Sequence, residues 1–286
     1  MSDVCNIPMN GGTLTPTGIL VETRTVNEAW QEWFDMFHKQ AEAGKNDPSR
    51  DGTVVAECLN AITVINDPTR NIVTSDDRRM PMRYAVGELL WYLSGSNRLK
   101  DISVFSKVWE RMSDDGVTVN SAYGQRIFER FGFDQFEYVV EALTKNPLSR
   151  QAVIHIKDAE DYNTFPTKDV PCTVALQYFI RDGRLHATTY MRSNDLWTGF
   201  PYDVFSFTCF QILLAFRLGV DIGTYTHFAG SLHLYERSLD EWREKHFAHC
   251  DGGACSIPVM GGPSPQQVTG GTGGNGANNL FPNPVR

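Results

Sequence analysis

A β-hairpin followed by a helix that is apolar on nearly every side is the feature that most constrains the fold of this chain. Residues 177–181 and 184–192 are rich in β-forming residues, and the two-residue turn Asp182-Gly183 joins them. Residues 204–218 are apolar around almost the whole helical circumference. Strands gathered around such a buried helix predict an α/β (α+β) domain, a mixed β-sheet packed with helices around one long buried helix.

Four more elements are predicted from periodicity and capping signals. Residues 25–43 form an amphipathic helix that opens with a capping box, and residues 53–66 form a strand that ends in a turn. Residues 81–93 form a helix with proline in its first turn and Glu88 in its apolar part. Residues 235–246 form a polar helix, after which the composition changes abruptly.

The predicted domain ends near residue 254. From residue 255 onward Gly, Pro, Asn and Ser dominate, and too few apolar side chains remain to offset the conformational entropy lost on ordering. We therefore expect one folded domain over residues 1–254 and a flexible tail over residues 255–286.

Charge and composition argue against several classes of protein. The net charge of -8 over 286 residues disfavours a protein that grips nucleic acid, since such binding depends on clustered Lys and Arg. No basic segment followed by an apolar run opens the chain, and no stretch approaches the roughly 20 apolar residues of a membrane span. We expect a cytoplasmic protein that binds neither nucleic acid nor membrane, although a single nucleotide is allowed as a ligand.

Cysteine and histidine spacing indicates a protein without a structural metal or a disulfide framework. The six cysteines are scattered with no Cys-x-x-Cys pair, which predicts reduced thiols and leaves one of them available as a nucleophile. The seven histidines show no close spacing with Cys or carboxylates, so no metal site is expected. A glycine-rich dinucleotide loop is also missing from the sequence.

Pattern alone leaves the roles of the polar candidates open. Cys172 follows Pro171, and a lone cysteine so placed is more often a small core residue than a nucleophile. Glu88 is either a functional carboxylate or a residue on the exposed helix face. Arg192 and Ser193, at the end of the second hairpin strand, suit a phosphate group as well as they suit a solvated strand end.

Three further polar residues are equally open on pattern. His233 and Tyr235 alternate on a strand-like stretch, so both side chains face the same way and either bind a sugar hydroxyl or satisfy each other. Asp203 directly precedes the apolar run and is a predicted helix N-cap.

Seven short segments, taken together, go beyond pattern. They are residues 88–91 (ELLW), 123–124 (YG), 146–150 (NPLSR), 170–172 (VPC), 191–195 (MRSND), 199–203 (GFPYD) and 230–235 (GSLHLY). Their order and spacing resemble the thymidylate synthase family, most of all its deoxycytidylate hydroxymethylase branch, over about residues 50–242. The resemblance implies a thymidylate-synthase-like fold.

The resemblance also assigns catalytic roles. It implies that Cys172 is the nucleophile, Glu88 the catalytic carboxylate and Tyr123 an active-site tyrosine, with Asp203 as the fourth catalytic residue. It implies 5,10-methylenetetrahydrofolate as the co-substrate, bound by Trp109, which stacks on the folate, by Asp195, which binds the pterin, and by Gly199.

The same resemblance implies how a pyrimidine nucleoside monophosphate is held. Its phosphate would be bound by Arg50, Arg192 and Ser193, together with Arg150 from the second subunit of a homodimer. Its sugar would be bound by His233 and Tyr235. Gln151 departs from the family, which usually has a second arginine there, and this departure puts the phosphate contact in doubt.

Two departures bear on the substrate. Asp203 stands where synthases acting on deoxyuridylate carry Asn, and Thr173 stands where they carry His. A carboxyl group accepts from the N4 amine of cytosine and shares a proton with N3, whereas a carboxamide matches the N3–H and O4 of uracil. The prediction is therefore a dCMP 5-hydroxymethylase.

Other functions remain as alternatives. A CMP 5-hydroxymethylase and a thymidylate synthase acting on dUMP would use the same machinery, and Ser193 mildly favours the deoxy sugar. A nucleotide-binding homologue without activity is disfavoured, because the chain retains a full set of candidate site residues, namely Glu88, Tyr123, Cys172, Arg192, His233 and Tyr235. A purely structural assembly protein is disfavoured because it would not require the matched thiol, carboxylates and arginines.

Overall fold

The computed structural model describes residues 15–44, 47–49, 52–162 and 167–247. The strands are β1 (Leu20–Thr23), β2 (Asp47–Ser49), β3 (Gly52–Ile65), β4 (Val153–His155), β5 (Thr173–Arg181), β6 (Arg184–Met191), β7 (Asn194–Asp195) and β8 (Asp221–Tyr235). The helices are α1 (Val26–Glu42), α2 (Met82–Leu93), α3 (Leu99–Ser103), α4 (Val108–Met112), α5 (Tyr123–Phe128), α6 (Gln135–Lys145), α7 (Phe200–Leu218) and α8 (Glu236–Phe247). Arg50, the predicted boundary at residue 254 and the predicted tail lie outside the described residues.

The strands form one mixed sheet in the order β1-β3-β8-β6-β5-β4, with β2 beside β3 and β7 beside β8. The β5–β6 hairpin is antiparallel across its Asp-Gly turn, as predicted. β6 runs parallel to β8, and the intervening helix α7 makes the crossover between these neighbours. The mixed sheet packed with helices confirms the predicted fold class.

Helix α1 is joined to the sheet through two buried indoles. Trp30 Nε1 donates to the carbonyl of Leu196 at 3.0 Å, and Trp33 Nε1 donates to Thr63 Oγ1 at 2.8 Å. Each large aromatic ring contributes on the order of 2–3 kcal/mol by burial, and the hydrogen bond removes the cost of an unpaired N–H. The predicted capping box at Thr25 is present.

Helix α7 is the long buried helix, but it begins earlier than the apolar run predicts. Its N-cap is Gly199, and Pro201 occupies its first turn. The prediction that Asp203 is the N-cap is therefore wrong: Asp203 lies inside the first turn of the helix. Proline in a first turn is a known start signal, and it moves the helix start ahead of the apolar residues.

Helices α2 and α5 touch backbone to backbone. A Cβ atom at Gly124 would lie 2.0 Å from the carbonyl oxygen of Tyr92, so no larger residue fits without moving a helix. The rings of Tyr92 and Tyr123 pack 5.3 Å apart across this contact. The close approach sets the position of Tyr123.

The described elements as far as His246 belong to one compact unit. Among the helices in the described ranges, none combines the length and the apolar character that a membrane span requires.

Candidate active site

Cys172 lies directly before β5 and is half-buried. Its carbonyl accepts a hydrogen bond from the Arg192 backbone N–H at 2.9 Å, because β5 and the end of β6 are paired there. The Arg192 guanidinium donates to the carbonyls of Pro171 at 3.1 Å and Val170 at 3.0 Å. Arg192 thus holds the segment that carries the cysteine, with its guanidinium on the carbonyls of the two residues that precede Cys172.

Glu88 is buried on α2, at 5% exposure, so its placement on an exposed helix face is wrong. Burial raises the pKa of Glu88 to about 7, although hydrogen bonds from Tyr84 and Tyr92 lower it. Tyr84 donates to Glu88 Oε1 at 2.6 Å, and Trp109 Nε1 donates to the Tyr84 hydroxyl at 3.2 Å. A chain of hydrogen bonds therefore links the carboxyl to the half-buried indole predicted to stack on the folate.

Asp203 is half-buried in the first turn of α7. Burial, and next the charge of Glu88, raise the pKa of Asp203 to about 8, while a hydrogen bond from Asn194 lowers it. That bond runs from Asn194 Nδ2 to Asp203 Oδ2 at 2.7 Å. Two carboxyl groups with raised pKa values therefore lie in one site, near the pH at which general acids and bases work well.

Tyr123 lies between the predicted nucleophile and the carboxyl groups. Its hydroxyl accepts from the Thr173 backbone N–H at 3.3 Å, one residue from Cys172. Burial, followed by the nearby charges of Asp203 and Cys172, raises the pKa of Tyr123. The structure thus brings together the four residues that sequence reasoning assigns to catalysis.

The predicted sugar-binding pair lies at the end of β8. The rings of His233 and Tyr235 meet edge to face at 4.9 Å, so the two residues do contact each other. Ser231 Oγ lies 3.3 Å from His233 Nδ1 and donates to Glu57 Oε1 at 2.6 Å. Burial lowers the pKa of His233, and the neighbouring carboxylates oppose that shift, Asp195 foremost.

Asp195 lies on β7, beside His233 of β8. Its Oδ1 accepts from the backbone N–H groups of Trp197 at 2.8 Å and Thr198 at 3.3 Å, and its Oδ2 accepts from the Thr198 hydroxyl at 2.6 Å. The side chain of Asp195, which is predicted to bind the pterin, is thus oriented by the turn that follows it.

Gly199 supports the site in a way that sequence reasoning missed. A Cβ atom at Gly199 would lie 2.8 Å from Asn194 Nδ2, so the glycine leaves room for the amide that contacts Asp203. Its predicted contact with the folate stays a prediction.

The phosphate-binding residues are only partly brought together. Ser193 is half-buried next to the exposed Arg192. Arg150 is exposed on the loop before β4, where its carbonyl accepts from Gln177 Nε2 at 3.0 Å. Gln177 lies four residues beyond Thr173 on β5, roughly 13 Å along the strand, so Arg150 stands apart from the Cys172 of its own chain.

Three residues around the site had not been assigned roles: Tyr84, Asn194 and His227. Tyr84 precedes Glu88 by one helical turn, so helical spacing was a usable signal for it. His227 Nε2 lies 3.1 Å from Asn194 Oδ1. The two residues lie on strands that are far apart in sequence, and no sequence pattern indicates such a contact.

The arrangement suits covalent chemistry on a small ring. It offers a thiol beside an arginine, two carboxyl groups near neutrality and a tyrosine between them. Within the ranges that the structure describes, no group of three His, Cys, Asp or Glu side chains is placed to hold a metal.

Known proteins resemble this chain across the residues that form the site. The thymidylate synthase family model matches residues 31–248. The protein named deoxyuridylate hydroxymethyltransferase from Bacillus phage SP01 is 31% identical over 207 residues, covering 68% of this chain and 53% of the phage protein. Its namesake from Pseudomonas phage M6 is 30% identical over 224 residues, covering 78% of this chain and 63% of that protein.

A thymidylate synthase from Bacillus atrophaeus is 28% identical over 171 residues, covering 57% of this chain and 74% of the bacterial protein. At 53% and 63%, the match to this chain spans less than two thirds of the length of either phage relative. The family model, by contrast, covers most of this chain and includes Glu88, Cys172, Asp203 and His233. The chain belongs to the thymidylate synthase family.

Proposed function

We propose that this protein is a deoxycytidylate 5-hydroxymethyltransferase, which converts dCMP, 5,10-methylenetetrahydrofolate and water into 5-hydroxymethyl-dCMP and tetrahydrofolate. The observation that carries the proposal is Asp203, a carboxyl beside Glu88 and Tyr123 with a pKa of about 8. Near neutral pH such a group donates from one oxygen and accepts at the other, which matches N3 and the N4 amine of cytosine.

Cys172 starts the reaction. Its thiolate adds to C6 of the pyrimidine, and the electron pair of the C5–C6 bond moves to C5, which attacks the methylene carbon of the folate. Loss of the C5 proton and departure of the tetrahydrofolate nitrogen leave an exocyclic methylene on the ring. Water adds to that methylene as the C6–sulfur bond breaks, and the nucleotide leaves as its hydroxymethyl derivative.

Glu88 moves protons in this sequence and positions the water. Its pKa of about 7 lets it accept a proton in one step and return it in another. Tyr84 donates to one carboxylate oxygen, Oε1, and Tyr92 also hydrogen-bonds the carboxyl, so two tyrosines orient it. Trp109 is tied to the same Tyr84, which couples the folate ring to the carboxyl that handles water.

Binding of the nucleotide and the folate follows the family roles. Arg50, Arg192 and Ser193 hold the phosphate, His233 and Tyr235 hold the sugar, and Asp195 and Gly199 contact the folate. A homodimer supplies Arg150 from the second subunit. Ile62, Phe228 and Tyr190 support such a dimer, because they stand side by side on three strands and are only partly covered within one chain. The expectation of a cytoplasmic location stays a prediction.

Hydroxymethylation of dUMP is the second candidate. Two phage relatives carry the name deoxyuridylate hydroxymethyltransferase, at 31% and 30% identity. A protonated carboxyl also matches uracil if the proton sits on the other oxygen, so Asp203 alone does not exclude that base.

Mass spectrometry of the reaction products separates these candidates. The purified protein is incubated with methylenetetrahydrofolate and, in separate reactions, with dCMP, CMP or dUMP. We expect dCMP to gain one CH2O unit. A CH2O gain on CMP or dUMP alone would change the assigned nucleotide, and a CH2 gain on dUMP would identify a synthase.

Two variants serve as controls for this assay. Cys172→Ser should abolish the product while leaving nucleotide binding intact, since the hydroxyl is a far weaker nucleophile than the thiolate. Asp203→Asn should turn preference from dCMP toward dUMP, because the carboxamide offers a fixed donor and acceptor. Unchanged base preference in Asp203→Asn would contradict the assigned role of Asp203.

A further inference from the structure

A buried chain of hydrogen bonds runs from the sheet to Asp203. Asn194 Nδ2 donates to Asp203 Oδ2 at 2.7 Å, and Asn194 Oδ1 lies 3.1 Å from His227 Nε2. His227 Nδ1 lies 3.0 Å from the Tyr225 hydroxyl, which in turn lies 2.8 Å from Thr189 Oγ1. Asn194, His227, Tyr225 and Thr189 are all at most 3% exposed, so water does not compete for these bonds.

The geometry assigns a proton to each link of this chain. Since the amide nitrogen faces Asp203, the amide oxygen faces His227 and must accept, so Nε2 carries the ring hydrogen. Burial lowers the pKa of His227 to about 3, and a neutral ring then has Nδ1 as its acceptor. The Tyr225 hydroxyl is then the donor to Nδ1, 3.0 Å away, and because it has only one hydrogen it accepts from the Thr189 hydroxyl across their 2.8 Å contact. The amide of Asn194 is therefore held in a single orientation.

This orientation bears on base choice. A protonated carboxyl pairs with cytosine or with uracil according to which oxygen holds the proton. An N–H directed at Oδ2 makes that oxygen the acceptor and leaves the proton to Oδ1. A flipped amide would present its oxygen to Asp203 and draw the proton to Oδ2, which reverses the polarity seen by the base.

We propose that Asn194 is a specificity-determining positioning residue: it keeps the Asp203 proton on Oδ1, and His227 and Tyr225 hold its amide in the orientation that does so. The inference rests on the proposed function for the identity of the favoured base. Gly199 takes part by having no side chain, because a Cβ atom there would lie 2.8 Å from the amide nitrogen.

The test compares kcat/KM for dCMP and for dUMP in four purified full-length variants. Asn194→Leu removes the donor to Asp203, and His227→Leu keeps Asn194 but releases its amide. Tyr225→Phe removes only one hydroxyl and is the variant least liable to misfold. Tyr178→Phe is the matched control, since Tyr178 is also buried in the sheet, at 1% exposure, but outside the chain of hydrogen bonds.

We expect the dCMP to dUMP ratio to fall roughly tenfold or more in Asn194→Leu and His227→Leu, as a mispaired buried edge implies. Tyr225→Phe should shift the ratio in the same direction by a smaller factor, and Tyr178→Phe should leave it at the wild-type value. A general structural defect would lower both rate constants and keep their ratio.

Ratios within twofold of wild type in the folded variants would overturn the inference; if the two leucine variants do not fold, Tyr225→Phe decides. A wild-type enzyme that prefers dUMP would overturn the proposed function instead. In that case the variants should still show a smaller difference in kcat/KM between the two nucleotides, now because dCMP gains relative to dUMP. Nucleotide dissociation constants, measured on the same variants in the Cys172→Ser background, give the same ratio without turnover.

Discussion

Two carboxyl groups in the site keep their protons at a pH where most carboxyl groups have lost them. Burial is the main cause for both Glu88 and Asp203, and for Asp203 the charge of Glu88 adds to it. Ionising one of them makes ionising the other harder. The site is therefore held close to a point where a proton can be taken up or released at small cost.

This arrangement makes stability depend on pH with a definite sign. In the unfolded chain Asp203 loses its proton near its ordinary pKa of about 4, whereas in the folded protein it keeps it up to about 8. Between these values the folded state binds more protons, so its stability falls as pH rises, by at most about 1.4 kcal/mol per pH unit, and levels off above about pH 8.

Asp203→Asn should remove that dependence. The free energy of unfolding of the variant, minus that of the wild type, should rise from about pH 5 to about pH 8 and then stay level. Urea denaturation followed by tryptophan fluorescence measures it. Asp101→Asn is the control. The pKa of Asp101 is lowered, mainly by its hydrogen bond from Ser96, so the difference in unfolding free energy between this variant and the wild type should be constant across this pH range. A flat difference for Asp203→Asn as well would contradict the raised pKa.

At the scale of elements, sequence patterns predict whether a segment is a helix or a strand better than they predict which other segments it contacts. The β5–β6 hairpin and α7 follow from a turn dipeptide and an apolar run, and both signals are local. The parallel pairing of β6 with β8 brings His227 to Asn194, yet it depends on partners far apart in the chain. The five-residue helices α3 and α4 are too short for periodicity to reveal.

The same distinction applies to the candidate site, where the sequence indicates the residues better than the contacts that hold them. Cys172, Glu88 and Asp203 lie in motifs that resemble a family, so the sequence selects them as candidates although pattern alone favoured a core cysteine. The contacts that hold them were not predictable, except where helical spacing relates Tyr84 to Glu88.

The contact between α2 and α5 predicts the effect of Gly124→Ala. The added methyl group would meet backbone atoms of Tyr92 at 2.0 to 2.6 Å, which only a movement of α5 relieves. We expect a loss of about 1–3 kcal/mol in unfolding free energy, as for other overpacked sites, and a larger loss of kcat/KM because Tyr123 moves with α5. Chemical denaturation and steady-state kinetics measure the two effects.

Gly87→Ala is the matched control on α2. Its methyl group would meet the side chain of Phe105, 2.4 Å away, in the turn between α3 and α4 and not on α5. It should lose stability while its folded fraction stays active. Equal losses of activity in both variants would argue against a specific role for the α2–α5 contact.

At the scale of the whole molecule, one chain does not complete the proposed phosphate site. Arg150 is level with Gln177, roughly 13 Å along β5 from Thr173, the residue after the nucleophile, which is farther than an arginine side chain spans. Over the residues that the structure describes, its guanidinium has no hydrogen-bond or ion-pair partner. The proposed two-fold homodimer would resolve this, since each chain would then give its arginine to the site of the other.

Mixing two inactive proteins tests this exchange. Cys172→Ser lacks the nucleophile and Arg150→Ala lacks the phosphate contact, so each homodimer should have little activity alone. After the two are unfolded and refolded together in equal amounts, half of the dimers hold one chain of each kind, and one of their two sites has both residues intact. Activity should therefore recover to about a quarter of the wild-type value.

Arg181→Ala serves as the control. It alters an arginine on β5 whose guanidinium contacts carbonyls of its own chain, so this variant should be active by itself. If the mixture stays as inactive as its parents while forming dimers, Arg150 acts within its own chain or not at all.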